Sequence, residues 1–456
     1  SDLGEPPVTT AHINRIATVT PAHDVHDAFV RAVQRFIPEE RDRRLFRRMV
    51  SRAGIEHRWS FFSPAQAEGE AADAEGFFRH GDYPRTGARM DRFEANAPLL
   101  ATQAIDRLEL GSGIERITHL IVASCTGFTA PGLDQQLIAR LGMNPGVERT
   151  MVGFMGCYAA VNALRLAHHI VRSEPDARVL VVNIELCSLH FQETPDLEKL
   201  LSALLFGDGC AATLVTAEPH GIAIDDFRAA SLPGSGDLIT WRIGDRGFDM
   251  HLSGEVPQRI QRAMQLEYAR NDDAGLLRGD RPEQFDLWAV HAGGRTILDA
   301  VESGLELGQT ALDWSRGVLR DFGNMSSATL MFVLARVLAR SDVRRGVGRF
   351  PGEVPQRELR AGEQQRGRQS GVAADRGGIE KLGAAGFLTG AGLPVVGVPL
   401  GYHLRRRSLV LDIAVVLACL GAVMTGAVGN DNLRLGFAVP MVLVLAILPL
   451  AKAFRT

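Results

Sequence analysis

The order of apolar and polar positions along the chain predicts alternating strands and helices. Short apolar runs of strand length predict strands at 13–19, 117–123, 179–186, 210–216, 222–227 and 285–291. Apolar residues at helical spacing predict helices at 23–36, 97–110, 131–141, 158–170, 256–270, 296–305 and 329–340. Such alternation predicts a layered α/β architecture.

The same pattern divides the chain into four parts. A Gly-, Pro- and Glu-containing break at 219–221 separates a first half, 1–220, from a second half, 221–341, that repeats the strand and helix order. Residues 342–382 are rich in Arg, Gly, Gln and Glu, a composition typical of a disordered linker. Residues 383–456 form an apolar tail.

Two apolar runs in this tail predict one or two membrane-spanning helices. The run 409–428 is interrupted only by Asp412 and has the length of a bilayer span, while 435–451 is shorter and contains two prolines. The triplet Arg405-Arg406-Arg407 precedes the pair and basic residues follow it, so both ends are predicted in the cytoplasm. A buried helical hairpin is the alternative for this tail.

Composition narrows the function and the compartment. The chain has 456 residues, a net charge of −3 and five cysteines without a C-x-x-C pair. These values give no sign of nucleic-acid binding or of a metal cluster. The polar start, Ser1 to Thr10, does not resemble a signal peptide, so we expect a reducing, cytoplasmic location for the first two parts.

Cys157 is the first candidate for chemistry. It follows the Gly-containing stretch Val152–Met155 and precedes a predicted helix, where helix-terminal N–H groups favour a thiolate. A lone Cys among small residues is more often a core residue. The assignment therefore needs further residues.

His291 and Asn324 are the further candidate residues. His291 ends a predicted strand before a Gly pair, and Asn324 follows Gly323 just before a predicted helix. Alone, the first would be a hydrogen-bonded core histidine and the second a helix cap or a turn residue. Together with Cys157 they form the set that thiol catalysis needs: a nucleophile, an imidazole that lowers its pKa, and a donor toward an oxyanion.

Five ordered blocks carry a resemblance to a known family. They are Gly156–Ala160 with Leu164–Ala167, Ala177–Val182, Leu205–Gly209, His291–Gly294 and Gly323–Ala328. From about Ile13 to Ser341 the chain resembles the type III polyketide synthases, the chalcone and stilbene synthase family. The resemblance implies a thiolase-like αβαβα fold with two pseudo-repeated halves. The second half is expected to be incomplete, because no stretch after Arg340 matches the family's closing strands.

The resemblance also implies an activity. Cys157, His291 and Asn324 match the family's catalytic residues, and the substrates would be an acyl-CoA starter and malonyl-CoA, with no metal or redox cofactor. A homodimer is implied in the same way. The stretch Trp241–Asp245 is more similar to bacterial members that accept fatty acyl starters.

Seven positions match substrate-binding residues of the family: Arg48, Arg52, Thr126, Cys187, His190, Phe206 and Ser326. The two arginines would bind coenzyme A phosphates, although a basic helix face is more commonly only solvated. Phe206 would separate the coenzyme A tunnel from the cavity, or be a core Phe. His190 is expected to be a wall residue rather than a second base.

Two other functions remain open from the sequence. One is a ketoacyl-carrier-protein synthase III-like enzyme, which also uses Cys, His and Asn. The other is an inactive synthase domain joined to a membrane segment. The tail itself is either a fusion that tethers the enzyme to the inner face of the cell membrane, or the result of an altered reading frame that removed the closing strands.

Overall fold

The computed structural model describes residues 9–65, 69–345 and 382–383, with side chains described through residue 339. The chain divides into a unit of residues 1–393 and a unit of residues 394–456, and every described residue belongs to the first. The two apolar runs of the tail, 409–428 and 435–451, therefore lie outside the described residues. Most of the predicted linker lies outside them as well.

Twelve strands occur in the described residues. They are β1 (Ala11–Val19), β2 (His23–Asp24), β3 (Trp59–Ser60), β4 (His119–Ser124), β5 (Glu148–Gly153), β6 (Val179–Leu186), β7 (Asp208–Thr216), β8 (Ile222–Ile224), β9 (Ile239–Gly244), β10 (Gly247–Leu252), β11 (Leu287–Trp288) and β12 (Leu382–Gly383).

Ten α-helices accompany them in the same residues. They are α1 (His26–Val33), α2 (Glu40–Arg52), α3 (Thr86–Asp106), α4 (Leu133–Leu141), α5 (Ala159–Ser173), α6 (Leu197–Leu205), α7 (Val256–Tyr268), α8 (Arg295–Gly304), α9 (Asp313–Phe322) and α10 (Ser327–Arg345). None of the helices in this described part is long and apolar enough to cross a membrane.

The main sheet has six strands in the order β5-β4-β6-β7-β1-β8. Strand β6 pairs parallel with β4 and antiparallel with β7, and all eight of its residues are buried. Its uninterrupted apolar run is what burial on two faces requires. Every strand predicted for the first half is present, with ends moved by at most a few residues.

Alternating residues of β6 pack against helices on opposite faces of the sheet. Val179 and Val181 lie in a core cluster with residues of α5 and α10. Leu180 and Val182 lie in a second cluster with residues of α3. The sheet is thus covered on one face by α3 and on the other by α5 and α10.

The second half adds the next two layers. After the short strand β11, Ala289 packs in the α5 and α10 cluster, whereas Trp288 and Val290 pack in a third cluster with residues of α7 and α8. This alternation places the β11 segment between two helical layers. The described residues therefore follow the α/β/α/β/α order that the resemblance implies.

The second half differs from the sequence prediction in three places. The predicted strand 285–291 is regular only at Leu287–Trp288, where it pairs parallel with β12 from the end of the predicted linker. Residues 228–255, for which no element was predicted, contain the hairpin β9–β10. Helix α9 was not predicted, because its apolar residues are few and lie between two glycines, Gly308 and Gly323.

Close packing of α7 against α8 gives a test of this second half. A Cβ added at Gly304 would lie 2.5 Å from Met264 Cβ and 2.9 Å from the Gln261 carbonyl oxygen. We expect Gly304→Ala to lower the free energy of unfolding by about 1–3 kcal/mol, because overpacking forces the helices apart. Urea unfolding measures the change.

Gly308→Ala is the matched control, since a Cβ there meets no atom within 4 Å. We expect its effect to stay within about 0.5 kcal/mol. Equal losses in the two variants would contradict the packing of α7 on α8 described above.

Candidate active site

Cys157 lies where a strand turns into a helix, as predicted. Strand β5 ends at Gly153, a single 3₁₀ turn covers Gly156–Tyr158, and α5 begins at Ala159. Gly156 has φ +60°, a conformation that favours glycine and lets the chain reverse just before the cysteine. Of the four described cysteines, Cys157 is partly exposed and the other three are buried.

The surroundings of Cys157 act on its protonation state. Burial raises the pKa of its thiol to about 11, and the charge of Glu185 acts in the same direction. Hydrogen bonds from Ser326 and Asn324 to the sulfur lower this pKa without offsetting the burial. This raised pKa favours the thiol form near neutral pH, whereas the position before α5 predicts a thiolate, which remains a prediction for the labelling test below.

His291 is neutral for the same reason. It lies three residues after β11, is buried, and its pKa falls to about 4 because burial disfavours the imidazolium. The backbone N–H of Gly293 donates to the His291 carbonyl oxygen at 2.9 Å, which closes a tight turn. An imidazole that is neutral at neutral pH can accept a proton.

Hydrogen bonds of both its backbone and its side chain fix the position of Asn324. Its N–H donates to the Leu205 carbonyl oxygen at 2.7 Å, and its own carbonyl oxygen accepts from the Gly207 N–H at 3.0 Å. The side-chain Oδ1 accepts from the Ser326 N–H at 2.9 Å. The amide Nδ2 donates to the Gly293 carbonyl oxygen at 3.2 Å.

These contacts bring the predicted residues together. Asn324 lies near enough to Cys157 to lower the pKa of its thiol, and its amide donates to the turn that follows His291. Ser326, with φ +47°, lies beside the same sulfur and also donates to the Cys125 sulfur at 4.0 Å. The Asn324 side chain thus forms a turn contact with Ser326 just before α10 and also bonds to the turn that follows His291.

A buried carboxyl group in the site was not predicted. Glu185 accepts from the Cys125 N–H at 2.9 Å, from the Thr126 hydroxyl at 2.9 Å and from the Ser327 hydroxyl at 2.6 Å. Burial raises the pKa of this carboxyl. The signal was present in the sequence, because an acidic residue inside an otherwise apolar strand run is rare unless it has partners.

Thr126 consequently faces Glu185. Its hydroxyl oxygen also accepts from the Leu186 N–H at 2.9 Å. It is not among the residues that line the large cavity described next. The structure therefore gives Thr126 a supporting place behind the site.

A cavity of about 1070 Å³, measured with its open mouth, lies beside the site. Three predicted binding residues, Cys187, His190 and Phe206, line it. Phe206 also forms a β-bridge with Asn324. Phe206 therefore lies at the boundary between the cavity and the Asn324 side of the site.

His190 belongs to an aromatic wall of this cavity. Its ring stacks on Phe248 with centroids 4.1 Å apart and meets Trp241 edge-on. Its Nε2 donates to the Thr126 carbonyl oxygen at 2.8 Å, and Nδ1 accepts from the Phe248 N–H at 3.0 Å. Burial lowers its pKa to about 3, so it is a neutral wall residue, in agreement with the expectation.

The predicted phosphate-binding arginines lie on the exposed face of α2. Arg43 and Arg47 bond to neighbouring groups of the protein. Arg48 and Arg52 are exposed, and their guanidinium groups make no ion pair with any residue that the structure describes. They are thus available to an anionic ligand. Within the same described ranges, no cluster of three His, Cys, Asp or Glu could hold a metal ion.

The raised thiol pKa gives a test by iodoacetamide labelling of Cys157. Because the pKa is about 11, the labelling rate should rise roughly tenfold per pH unit from pH 7 to 10 without a plateau. Peptide mass spectrometry measures the rate at Cys157. A plateau below pH 8 would show that the thiol is already ionised there.

Two serine variants sharpen this test. Ser326→Ala removes a hydrogen bond to the thiolate and should slow labelling at pH 9 by roughly tenfold. Ser327→Ala is the control, since its hydroxyl bonds to Glu185 instead of the sulfur. Losing that bond disfavours the charged carboxylate, so labelling should not slow.

Comparison with known proteins agrees with this geometry. Sequence profiles of the N-terminal and C-terminal domains of chalcone and stilbene synthases match residues 16–219 and 226–352. The chain is 34% identical over 318 residues to bisdemethoxycurcumin synthase of Oryza sativa subsp. japonica, which covers 67% of this chain and 77% of the rice enzyme. It is 32% identical over 351 residues to the alpha-pyrone synthesis polyketide synthase-like Pks18 of Mycobacterium tuberculosis, covering 74% and 86% respectively.

Solved structures show the same fold. PKS-I from the brown alga Ectocarpus siliculosus superposes with a TM-score of 0.66 at 30% identity, covering 76% of this chain and 93% of the algal one. The C-terminal type III polyketide synthase domain of Steely1 from Dictyostelium superposes with a TM-score of 0.64 at 23% identity, covering 75% and 93%. With its site and its sequence in agreement, the chain belongs to the chalcone and stilbene synthase family, the type III polyketide synthases, which are acyl-transferring enzymes.

Proposed function

We propose that this protein condenses malonyl-CoA units, with loss of carbon dioxide, onto an acyl starter bound to Cys157. The observation that carries the proposal is the position of Asn324, which lies near enough to Cys157 to lower the pKa of its thiol and donates to the turn after His291. An amide donor beside the nucleophile would bind the carbonyl oxygen of a thioester held there.

The first step is transfer of the starter. Cys157 is a neutral thiol and His291 a neutral imidazole, so the sulfur gives its proton to the imidazole as it attacks the acyl-CoA carbonyl carbon. The carbon–sulfur bond to coenzyme A breaks, and the leaving thiolate takes the proton back from His291. The products are the Cys157 thioester and free coenzyme A.

The second step extends the chain. Loss of carbon dioxide from malonyl-CoA leaves an enolate, whose oxygen accepts hydrogen bonds from the Asn324 amide and the His291 ring. The enolate carbon attacks the acyl thioester and releases the Cys157 sulfur. The step needs no redox partner, because the electron pair left by carbon dioxide forms the new carbon–carbon bond.

We propose a fatty acyl starter and an alkylpyrone or phenolic product. The cavity beside the site supports this choice, since its wall includes the aromatic residues Phe29, Phe62, Phe78 and Phe191. The relative Pks18 is named for alpha-pyrone synthesis. Arg48 and Arg52 would bind the phosphates of the coenzyme A carrier.

A second copy of the chain is the partner we propose. Strand β5 lies at the edge of the main sheet, and most of its side chains are exposed. Phe128, Met151 and Met155 expose about two-fifths of their surface around this edge. Large apolar residues grouped at a sheet edge are typical of a contact between subunits.

Membrane tethering remains a prediction from the sequence. The runs 409–428 and 435–451 carry it, and a cytoplasmic catalytic part held at the inner face of the membrane would lie close to lipid substrates or products. A gene join or frame change remains the other explanation of the same tail.

Ketoacyl-carrier-protein synthase activity is the alternative reaction. It differs in the carrier of the extender unit, so supplying labelled malonyl groups on coenzyme A or on a carrier protein separates the two. An inactive domain would use neither.

Substitution of Asn324 tests the proposed mechanism in the full chain. Asn324→Ala should lower carbon dioxide release from malonyl-CoA by about 10²–10³-fold, because one donor to the enolate oxygen is lost. Acylation of Cys157 by a fatty acyl-CoA should fall much less, as followed by intact mass. Cys157→Ala should abolish condensation, and unchanged product formation in that variant would disprove the proposal.

Filling the cavity tests the proposed starter. Ala28 lines the cavity from α1, so Ala28→Phe should lower kcat/KM for a long acyl-CoA by about tenfold and leave a short acyl-CoA nearly unaffected. Asp27→Phe, at an exposed position of the same helix, is the control. Equal losses for long and short starters would place the acyl chain elsewhere.

A further inference from the structure

Arg58 is a buried cation close to the site for which the proposed mechanism gives no role. It follows α2 by six residues and exposes only 3% of its surface. Burial lowers its pKa to about 10, so it remains charged at neutral pH. A buried charge needs compensation, which Asp24 and Asp208 supply through their charges and a short backbone segment with two side chains supplies through direct contacts.

The guanidinium group of Arg58 donates hydrogen bonds to carbonyl oxygens at the C-terminal end of α6. Its Nη1 donates to the Ala203 carbonyl oxygen at 2.9 Å and to the Phe206 carbonyl oxygen at 2.8 Å. The last carbonyls of a helix lack partners within the helix, and a cation there is favourable. Arg58 thus fixes the point at which the chain leaves α6.

The guanidinium group also contacts the side chains of His26 and Phe29. Its Nε donates to Nδ1 of His26 at 3.1 Å, and its central carbon lies 4.3 Å from the ring centre of Phe29. Burial and the charge of Arg58 lower the pKa of His26 to about 4, so this histidine is a neutral acceptor. The side chain therefore has little freedom to move.

The segment that Arg58 fixes is the one that holds Asn324. Leu205 accepts from the Asn324 N–H at 2.7 Å, and Gly207 donates to the Asn324 carbonyl oxygen at 3.0 Å. These two residues flank Phe206, whose carbonyl oxygen Arg58 binds. A shift of Phe206 would therefore carry Asn324 with it.

The aliphatic part of Arg58 also packs under the residue before Asn324. A Cβ added at Gly323 would lie 2.9 Å from Arg58 Cγ and 2.8 Å from the Leu205 carbonyl oxygen. Gly323 has φ +68°, so both its conformation and its surroundings require glycine. Arg58 thus packs beside Gly323, the residue before Asn324, and also binds the end of α6.

We propose that Arg58 is a positioning residue, which sets the Asn324 amide and the Phe206 ring by binding the backbone between them. Arg58 acts through Asn324, so the inference rests on the proposed decarboxylation step. Loss of the guanidinium group removes the hydrogen bonds at the end of α6. The Asn324 amide then moves out of hydrogen-bonding position for the enolate oxygen. Misplacement of a catalytic group by about 1 Å can lower a rate by about 10²-fold.

The test compares two rates in the full chain: carbon dioxide release from malonyl-CoA and acylation of Cys157 by the starter. Arg58→Met should lower the first by roughly tenfold to a hundredfold and the second by much less. Arg58→Lys, which restores a cation and a donor to the α6 carbonyls, should recover part of the first rate. A merely structural loss would lower both rates together.

Arg89→Met is the matched control. Arg89 is equally buried and donates to the carbonyl oxygens of Pro84, Leu189 and Phe191, without a bond to the 205–207 segment or to Asn324. It should not lower carbon dioxide release relative to acylation, because the carbonyl oxygens that it binds adjoin the acyl cavity and not Asn324. A ratio of the first rate to the second that falls as much in this variant as in Arg58→Met would overturn the proposal.

A double variant shows whether Arg58 acts through Asn324. In Arg58→Met with Asn324→Ala, decarboxylation should be no slower than in Asn324→Ala alone, because the amide to be positioned is already gone. Multiplying losses would contradict the positioning role. If Asn324→Ala itself leaves decarboxylation intact, the proposed function fails first; if it slows the step while Arg58→Met does not, only the positioning role fails.

Discussion

Two backbone hydrogen bonds between Asn324 and the 205–207 segment join the two halves of this protein into one site. The segment ends helix α6 of the first half, and Asn324 lies between two helices of the second. Backbone bonds fix a position more firmly than side-chain contacts, because they do not depend on rotamers. Cys157 from one half and the His291 turn from the other are placed relative to each other through this junction.

Burial then decides the charge states in the site. It raises the pKa of the Cys157 thiol and lowers that of the His291 imidazole, and both shifts favour a neutral resting pair. A neutral pair suits a site that must accept uncharged acyl groups and develop charge only during reaction. The donors Ser326 and Asn324 are already in place for the charge that forms on sulfur.

Burial also explains why the polar residues around Glu185 form hydrogen bonds with one another. Glu185 lies inside a strand buried on two faces and is held by a backbone N–H and by the hydroxyls of Thr126 and Ser327. Ser327 is the first residue of α10, so this carboxyl also links the two halves. Removing any one partner leaves a buried polar atom without compensation, which makes the network sensitive to substitution.

The sequence by itself determined the α/β class, the strands of the main sheet other than β5, and the choice of Cys157, His291 and Asn324 as candidates, because these depend on local periodicity and on residue types at element ends. It did not predict the edge strand β5, most of whose residues are exposed. It could not determine the charge state of Cys157, since burial arises only when distant segments pack around the sulfur. Nor did it indicate that Thr126 turns toward Glu185, because these two residues are 59 positions apart. The bond from Arg58 to the Phe206 carbonyl oxygen spans 148 positions and was not indicated either. Only the tertiary structure determines these contacts, because long-range hydrogen bonds produce no periodic pattern in a sequence.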